Sequence, residues 1–197
     1  MDEELRVLTE RLRAEAARSG VPGAPTAHDR LVAVVDHDEL AAVLTEPGHP
    51  LWARELAAFR LGTAGDRRAF ESLVLLLNHR DPPRCAAAAH ALARLGDPRT
   101  ARAAAALATN ELRVAYALHP VRLLVELRAP EAVPALITTL RRRLRPHDPH
   151  RRVALACVEG LGALGDDRAG PVLNDALAHP ALAQAAVRAL ARIPGQR

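Results

Sequence analysis

Ala91-Leu92-Ala93-Arg94-Leu95-Gly96-Asp97-Pro98-Arg99-Thr100 is the stretch that decides the fold. Ala and Leu propagate a helix as far as Leu95, and Gly96 has the freedom to take the left-handed conformation that ends one. Asp97 offers a carboxylate to cap the next helix, and Pro98 suits a first helical turn, where its missing N–H costs nothing. The stretch therefore reads as a helix end, a tight turn and a helix start. Relatives of it lie on both sides: Gly65-Asp66, Arg128-Ala129-Pro130 and Gly165-Asp166 each separate two apolar helical runs. The turns stand at residues 65, 96, 128 and 165, at spacings of 31, 32 and 37. Such a period signals stacked helical hairpins, none of which can bury its apolar face alone.

Outward from that stretch, the pattern predicts helix pairs over residues 49–81, 82–111, 112–147 and 148–180, and a half-repeat over 181–195. In the first pair Trp52, Leu56 and Phe59 recur at helical spacing, followed by Phe70, Leu73, Val74 and Leu77. The second runs from Pro83 to Leu95 and from Thr100 to Ala108. The third begins near Leu112, carries Pro120 as an expected kink, and resumes with Val133, Leu136, Ile137 and Leu140. The fourth places Val153, Cys157, Leu161 and Leu164 on one face and ends near Ala178. A last helix from Ala181 to Ile193 stops at Pro194-Gly195. Upstream, Asp2 to Arg18 reads as an amphipathic helix, with Leu5, Leu8 and Leu12 on one side and Asp2, Glu3 and Glu4 at the positive end of its dipole. Gly20-Val21-Pro22-Gly23-Ala24-Pro25 breaks it and is the expected boundary, so that residues 1–25 form a helix and linker. Residues 26–48 read as a degenerate helix pair, capped by Thr26 and turning at Asp36-His37-Asp38-Glu39.

Composition agrees with an all-α fold. Alanine and leucine abound, whereas only Trp52, Phe59, Phe70 and Tyr116 are aromatic. All 27 basic residues are Arg, a bias that fits a GC-rich genome. Residues 1–50 hold 5 Arg against 10 acidic residues, and residues 51–197 hold 22 against 13, so an acidic first quarter precedes a basic body. Cys85 and Cys157 lie in separate apolar runs without CxxC spacing and read as small buried hydrophobes of a reducing compartment. No apolar leader or membrane-length apolar run occurs, which points to a cytoplasmic protein without a membrane partner.

"RLGDPRTARAAAAL", "LRAPEAVPALITTL" and "ALGDDRAGPVLNDAL" resemble HEAT repeats, most of all the short variety first associated with phycobilin lyases. The resemblance covers residues 49–195 and departs from the family at Arg128-Ala129, which replaces Gly-Asp. It implies an α-solenoid, a right-handed superhelix of antiparallel helix pairs whose second helices line a concave face that commonly binds proteins. It implies no one activity.

Two sets of arginines carry the expectation of an anionic ligand. Arg67, Arg68, Arg99, Arg102 and Arg168 follow the turns, where stacking would align them into a row. Arg141, Arg142, Arg143, Arg145, Arg151 and Arg152 crowd the longest interval between turns. The opposing expectation is a solvated helix end, since Arg in a last turn complements the helix dipole. His147-Asp148-Pro149-His150 has too few imidazoles for a metal site, and Asp36 to Glu39 reads as caps. His90 and His119 stand singly, and Glu126, Glu159 and Asp175 are lone acids on helix surfaces. No nucleophile motif, phosphate-cradling loop or HExxH is present. Alkylpurine DNA glycosylases are the enzymatic precedent among HEAT-like proteins, but the four aromatics here are spaced for core packing. The expectation is a protein-binding scaffold without catalytic residues, cofactor or metal, in which Gly65, Asp66, Gly96, Asp97, Gly165 and Asp166 are structural turns. Nucleic acid, bound through the arginines, is the alternative partner, and a HEAT-like DNA glycosylase or a lyase-type enzyme is the remoter alternative.

Overall fold

The computed structural model describes residues 3–194 of the chain, and those residues contain helices and turns without a strand. Asp2, expected at the start of the first helix, and Gly195, expected at the end of the last, lie outside the described residues. The chain divides into two compact units, one up to Thr100 and one from Ala101.

In the first unit, α1 (Glu3–Arg18), α2 (Ala24–Ala33), α3 (His37–Thr45), α4 (Leu51–Thr63), α5 (Phe70–Leu77) and α6 (Pro82–Leu95) surround a core centred on α4. Trp52, Leu56, Phe59 and Leu61 of α4 are buried with Leu8 and Leu12 of α1, Leu40 of α3, Leu73 and Leu77 of α5 and Leu92 of α6. Leu5 and Val74, expected in the same faces, are half-buried. Gly20 to Pro25 is a turn inside this unit and not a boundary, because α1 continues to pack on α2 and α4. Gly23, at φ 78°, caps α2 in place of Thr26, and Pro25 sits in the first helical turn, where it needs no N–H partner. The chief partners of α2 are α1 and α4, while α3 packs on α4, so residues 26–48 form two helices that associate separately with the core.

A buried ionic network, which the sequence pattern does not betray, ties three helices of this unit together. Glu55 of α4 is 1 % exposed, and its carboxylate accepts from Arg11 of α1 and from Arg84 of α6. Arg84 also donates to Glu15 and lies 3.4 Å from Asp81. Burial pushes the Glu55 carboxyl above its ordinary value, and the two guanidinium groups pull it back.

The second unit holds most of α7 (Thr100–Thr109), a 3-10 segment over Glu111–Tyr116, α8 (Leu118–Leu127), α9 (Ala132–Arg143), α10 (Arg151–Leu164), α11 (Gly170–Leu177) and α12 (Pro180–Leu190). Its core comprises Val121, Leu124, Leu136, Leu140, Cys157, Leu161, Leu173 and Leu182, while Ile137 and Leu164 are half-buried. Pro120 does not kink a helix. It occupies the first turn of α8, and the irregularity falls earlier, at Arg113, whose φ of −127° interrupts the 3-10 segment. Arg128 takes the left-handed conformation itself, at φ 49° and ψ 29°, so the third turn keeps the geometry that glycine gives the others. Val125 of α8 and Arg128 just after it face residues 160 and 163 of α10, which sets the two helices parallel and in register. Helix pairs packed in this way place the chain in the all-α solenoid class.

Close helix packing in the second unit depends on Gly162, where an added Cβ would lie 2.7 Å from the Cα of Ala189 on α12. Gly162→Ala raises helix propensity by about 1 kcal/mol, yet we expect it to lower the melting temperature, because forcing backbones apart costs about 1–3 kcal/mol. A melting temperature above that of the parent would refute this reading of the contact. In the first unit, Glu55→Leu strands the Arg11 guanidinium and leaves Arg84 with only Glu15 and Asp81, and is expected to cost about 3 kcal/mol in urea unfolding. The double variant Glu55→Leu/Arg84→Met recovers part of that loss, and a loss that is simply additive would show that the network is not coupled.

Candidate functional site

A local motif places the arginines that follow the turns. At Asp66, Asp97 and Asp166 the carboxylate accepts the backbone N–H two residues on, at 3.1, 2.9 and 3.0 Å. The same carboxylates also receive the side chains of those residues, Arg68 at 2.6 Å, Arg99 at 3.0 Å and Arg168 at 2.7 Å. Arg68 reaches Asp38 as well, and Arg99 reaches Glu71 while lying 3.9 Å above the Phe70 ring. Three members of the expected row are thus folded back onto carboxylates of their own unit. The signal was present in the sequence as Asp-x-Arg at three turns, a spacing that sequence reasoning passed over in favour of the arginines alone. Arg67 and Arg102 are exposed and make no ion pair among the described residues.

The crowded interval is divided in a similar way. Arg141, Arg142 and Arg143 form the last turn of α9, while Arg151 and Arg152 form the first turn of α10. Arg142 donates to the Thr109 carbonyl at 2.7 Å and pairs with Glu111 at 3.0 Å, and Thr139 donates to the Ala108 carbonyl at 3.0 Å. Together they satisfy carbonyls at the end of α7 that would otherwise lack donors. Arg143 pairs with Asp148 at 2.9 Å, and Asp148 also accepts the His150 N–H at 2.8 Å. Arg141, Arg145, Arg151 and Arg152 remain exposed, without a carboxylate among the described residues.

Neither cysteine is placed for reaction. Both are buried, and burial pushes the Cys157 thiol up to about 12. Trp52, Phe59 and Phe70 are buried, and Tyr116 is half-buried beneath Arg113, so none of them serves as a stacking platform for a nucleotide. Among the described residues no group of three or more His, Cys, Asp or Glu side chains stands close enough to hold a metal ion. No helix among them is long and apolar enough to cross a membrane.

Sequence reasoning also misses a cleft of about 460 Å³ in the first unit. The turn after α1, the length of α2, and parts of α3 and α4 enclose it, with Val21, Pro22, Leu31, Val34, Val43 and Trp52 as apolar walls. Arg30, Glu39 and His49 supply its polar groups. The Gly-Pro turn, read from sequence as a linker, is the element that forms one side of it.

The turn carboxylates make acid sensitivity testable. Hydrogen bonds from Arg68 and Arg168 hold Asp66 and Asp166 at about 2, below the ordinary 3.8. A carboxylate whose folded pKa is depressed stabilises the fold above its unfolded value and loses that contribution as pH falls toward the folded one. Asp66→Asn/Asp166→Asn, which keeps an acceptor for the backbone N–H, is therefore expected to melt lower than the parent at neutral pH and to lose less stability between about pH 4 and pH 2. Parallel melting curves for the two proteins across that interval would refute it.

The comparisons with known proteins agree with this architecture. A search of the curated proteins found no match. The PBS lyase HEAT-like repeat family matches over residues 153–179, which run from the first turn of α10 through α11 and include the Gly165-Asp166 turn. That match lies on one of several helix pairs that share its turn geometry, and it supports a HEAT-like repeat architecture for the chain.

Proposed function

We propose that the chain is a non-catalytic binding module for a protein partner, and that the cleft in the first unit receives an apolar side chain of that partner. The observation that carries this reading is the cleft itself, an apolar recess walled by Val21, Pro22, Leu31, Val34, Val43 and Trp52 beside the buried core. Binding energy at protein interfaces concentrates where a large apolar side chain enters such a recess and water is excluded around it. Arg30 and Glu39 at the recess provide charges of both signs, which set the orientation of the incoming segment more than its affinity. The α-solenoid architecture supports the proposal, since HEAT-like repeats form helical scaffolds usable for protein interaction. Nucleic acid is the weaker reading, because Arg68, Arg99 and Arg168 already engage carboxylates.

The test is co-purification from native cells at moderate salt, followed by measurement of affinity for the recovered protein. Ala27 is exposed and lines the cleft, so Ala27→Trp fills the recess without disturbing the core. We expect it to weaken binding at least about tenfold, while Arg141→Gln/Arg145→Gln leaves binding unchanged. Equal affinity of the Ala27→Trp variant and the parent, or recovery of a nucleic acid in place of a protein, would overturn the proposal.

A further inference from the structure

The cations of the second unit are not all paired, and the unpaired ones are not scattered evenly. His119 and Arg122 lie one turn apart on α8, and Arg152 lies in the first turn of α10. The register that sets residues 125 and 128 against residues 160 and 163 brings the starts of the two parallel helices together, so Arg152 adjoins the turn that carries His119. Arg122 and Arg152 are exposed, His119 is half-buried, and none of the three has a carboxylate partner among the described residues. Glu126, one turn beyond Arg122, makes no ion pair among them either. Elsewhere in the second unit Arg142, Arg143 and Arg168 each engage an acid, and Arg102, Arg141, Arg145 and Arg151 are unpaired as well among the described residues, so what distinguishes this cluster is that the register brings its members together from two helices.

We propose that His119, Arg122 and Arg152 form a binding site for a compact dianion, a phosphate monoester or inorganic phosphate. Two guanidinium forks and an imidazole supply donors that converge from two helices, matching the several acceptor oxygens of a phosphoryl group. His150, the residue that precedes α10, gives no side-chain cap, so the N–H groups at the start of that helix add to the positive field beside Arg152. Burial first, and then the charges of Arg122 and Arg152, hold the His119 imidazole below its ordinary pKa. These are the charged groups that act on it, one from its own helix and one from α10. A dianion seated between the guanidinium groups reverses that field and draws a proton onto His119, which becomes a third charged donor. The small extent of the cluster favours one phosphoryl group over a nucleic-acid backbone, which calls for a track of cations. The site is independent of the cleft in the first unit.

The experiment is an NMR titration of the histidine rings of the full chain with inorganic phosphate at constant ionic strength. Saturable binding with a Kd of about 1 mM is expected, with the His119 pKa raised by about one unit. Arg122→Gln and Arg152→Gln, both at exposed positions, each weaken binding about tenfold, whereas Arg102→Gln does not. A phosphoserine peptide that binds more tightly than inorganic phosphate assigns the dianion to a protein side chain, and equal affinity assigns it to a small phosphate. The absence of a saturable shift at His119 would overturn the site. So would an oligonucleotide lacking terminal phosphates that displaces inorganic phosphate more effectively than the phosphoserine peptide.

Discussion

Everything in this chain that repeats depends on one backbone conformation, the left-handed residue that closes the first helix of each pair. Residues 65, 96, 128 and 165 all adopt it, at φ 81°, 64°, 49° and 70°. It reverses the chain while the last helical carbonyls find N–H groups across the turn, as in the bonds from Asp66 to the Leu61 carbonyl and from Gly165 to the Leu161 carbonyl. Glycine takes the conformation freely, whereas an L-residue with a Cβ pays about 1–2 kcal/mol. At Arg128 the side chain returns something for that cost by donating to the Ala163 carbonyl on α10 at 3.2 Å. The third turn therefore differs in sequence and not in geometry.

A carboxylate one residue after the left-handed position does the next task at three of the four turns. Asp66, Asp97 and Asp166 each cap the following segment and, in the same stroke, collect the arginine two residues on. The guanidinium that a charge count assigns to an anion-binding row is thereby used up locally. Formal charge excess and available charge are different quantities here, and only the second can recruit a ligand.

The helix pairs, their turns and most core faces were legible in the sequence because each follows from local rules of spacing and capping. Leu56 and Phe59, or Val153 and Leu161, need no knowledge of distant residues to be placed inward. What escaped was long-range or depended on precise boundaries. Glu55 is an acid in the middle of an apolar run, and nothing local reveals that Arg11 and Arg84, 44 and 29 residues away, would enclose it. Pro120 looked like a kink only because the helix was expected to begin six residues too early; with its start at Leu118 the ring falls where helices accept it. The cleft of the first unit was hidden for a related reason. A Gly-Pro stretch reads as a break, and whether a break separates domains or walls a recess depends on whether α1 folds back onto α4.

Binding specificity in such an architecture rests on exceptions to the repeat. Residues that occur at every turn are spent on the turn, so Asp66, Asp97 and Asp166 and their arginines can distinguish one helix pair from another only weakly. The third pair lacks the Asp-x-Arg motif, and it is α8 of this pair that carries His119 and Arg122. Without an aspartate in that turn, Arg128 turns to a backbone carbonyl of α10. The third turn thus spends its arginine on a bond between α8 and α10, while toward the other end of those helices Arg122 and Arg152 stay without a carboxylate among the described residues.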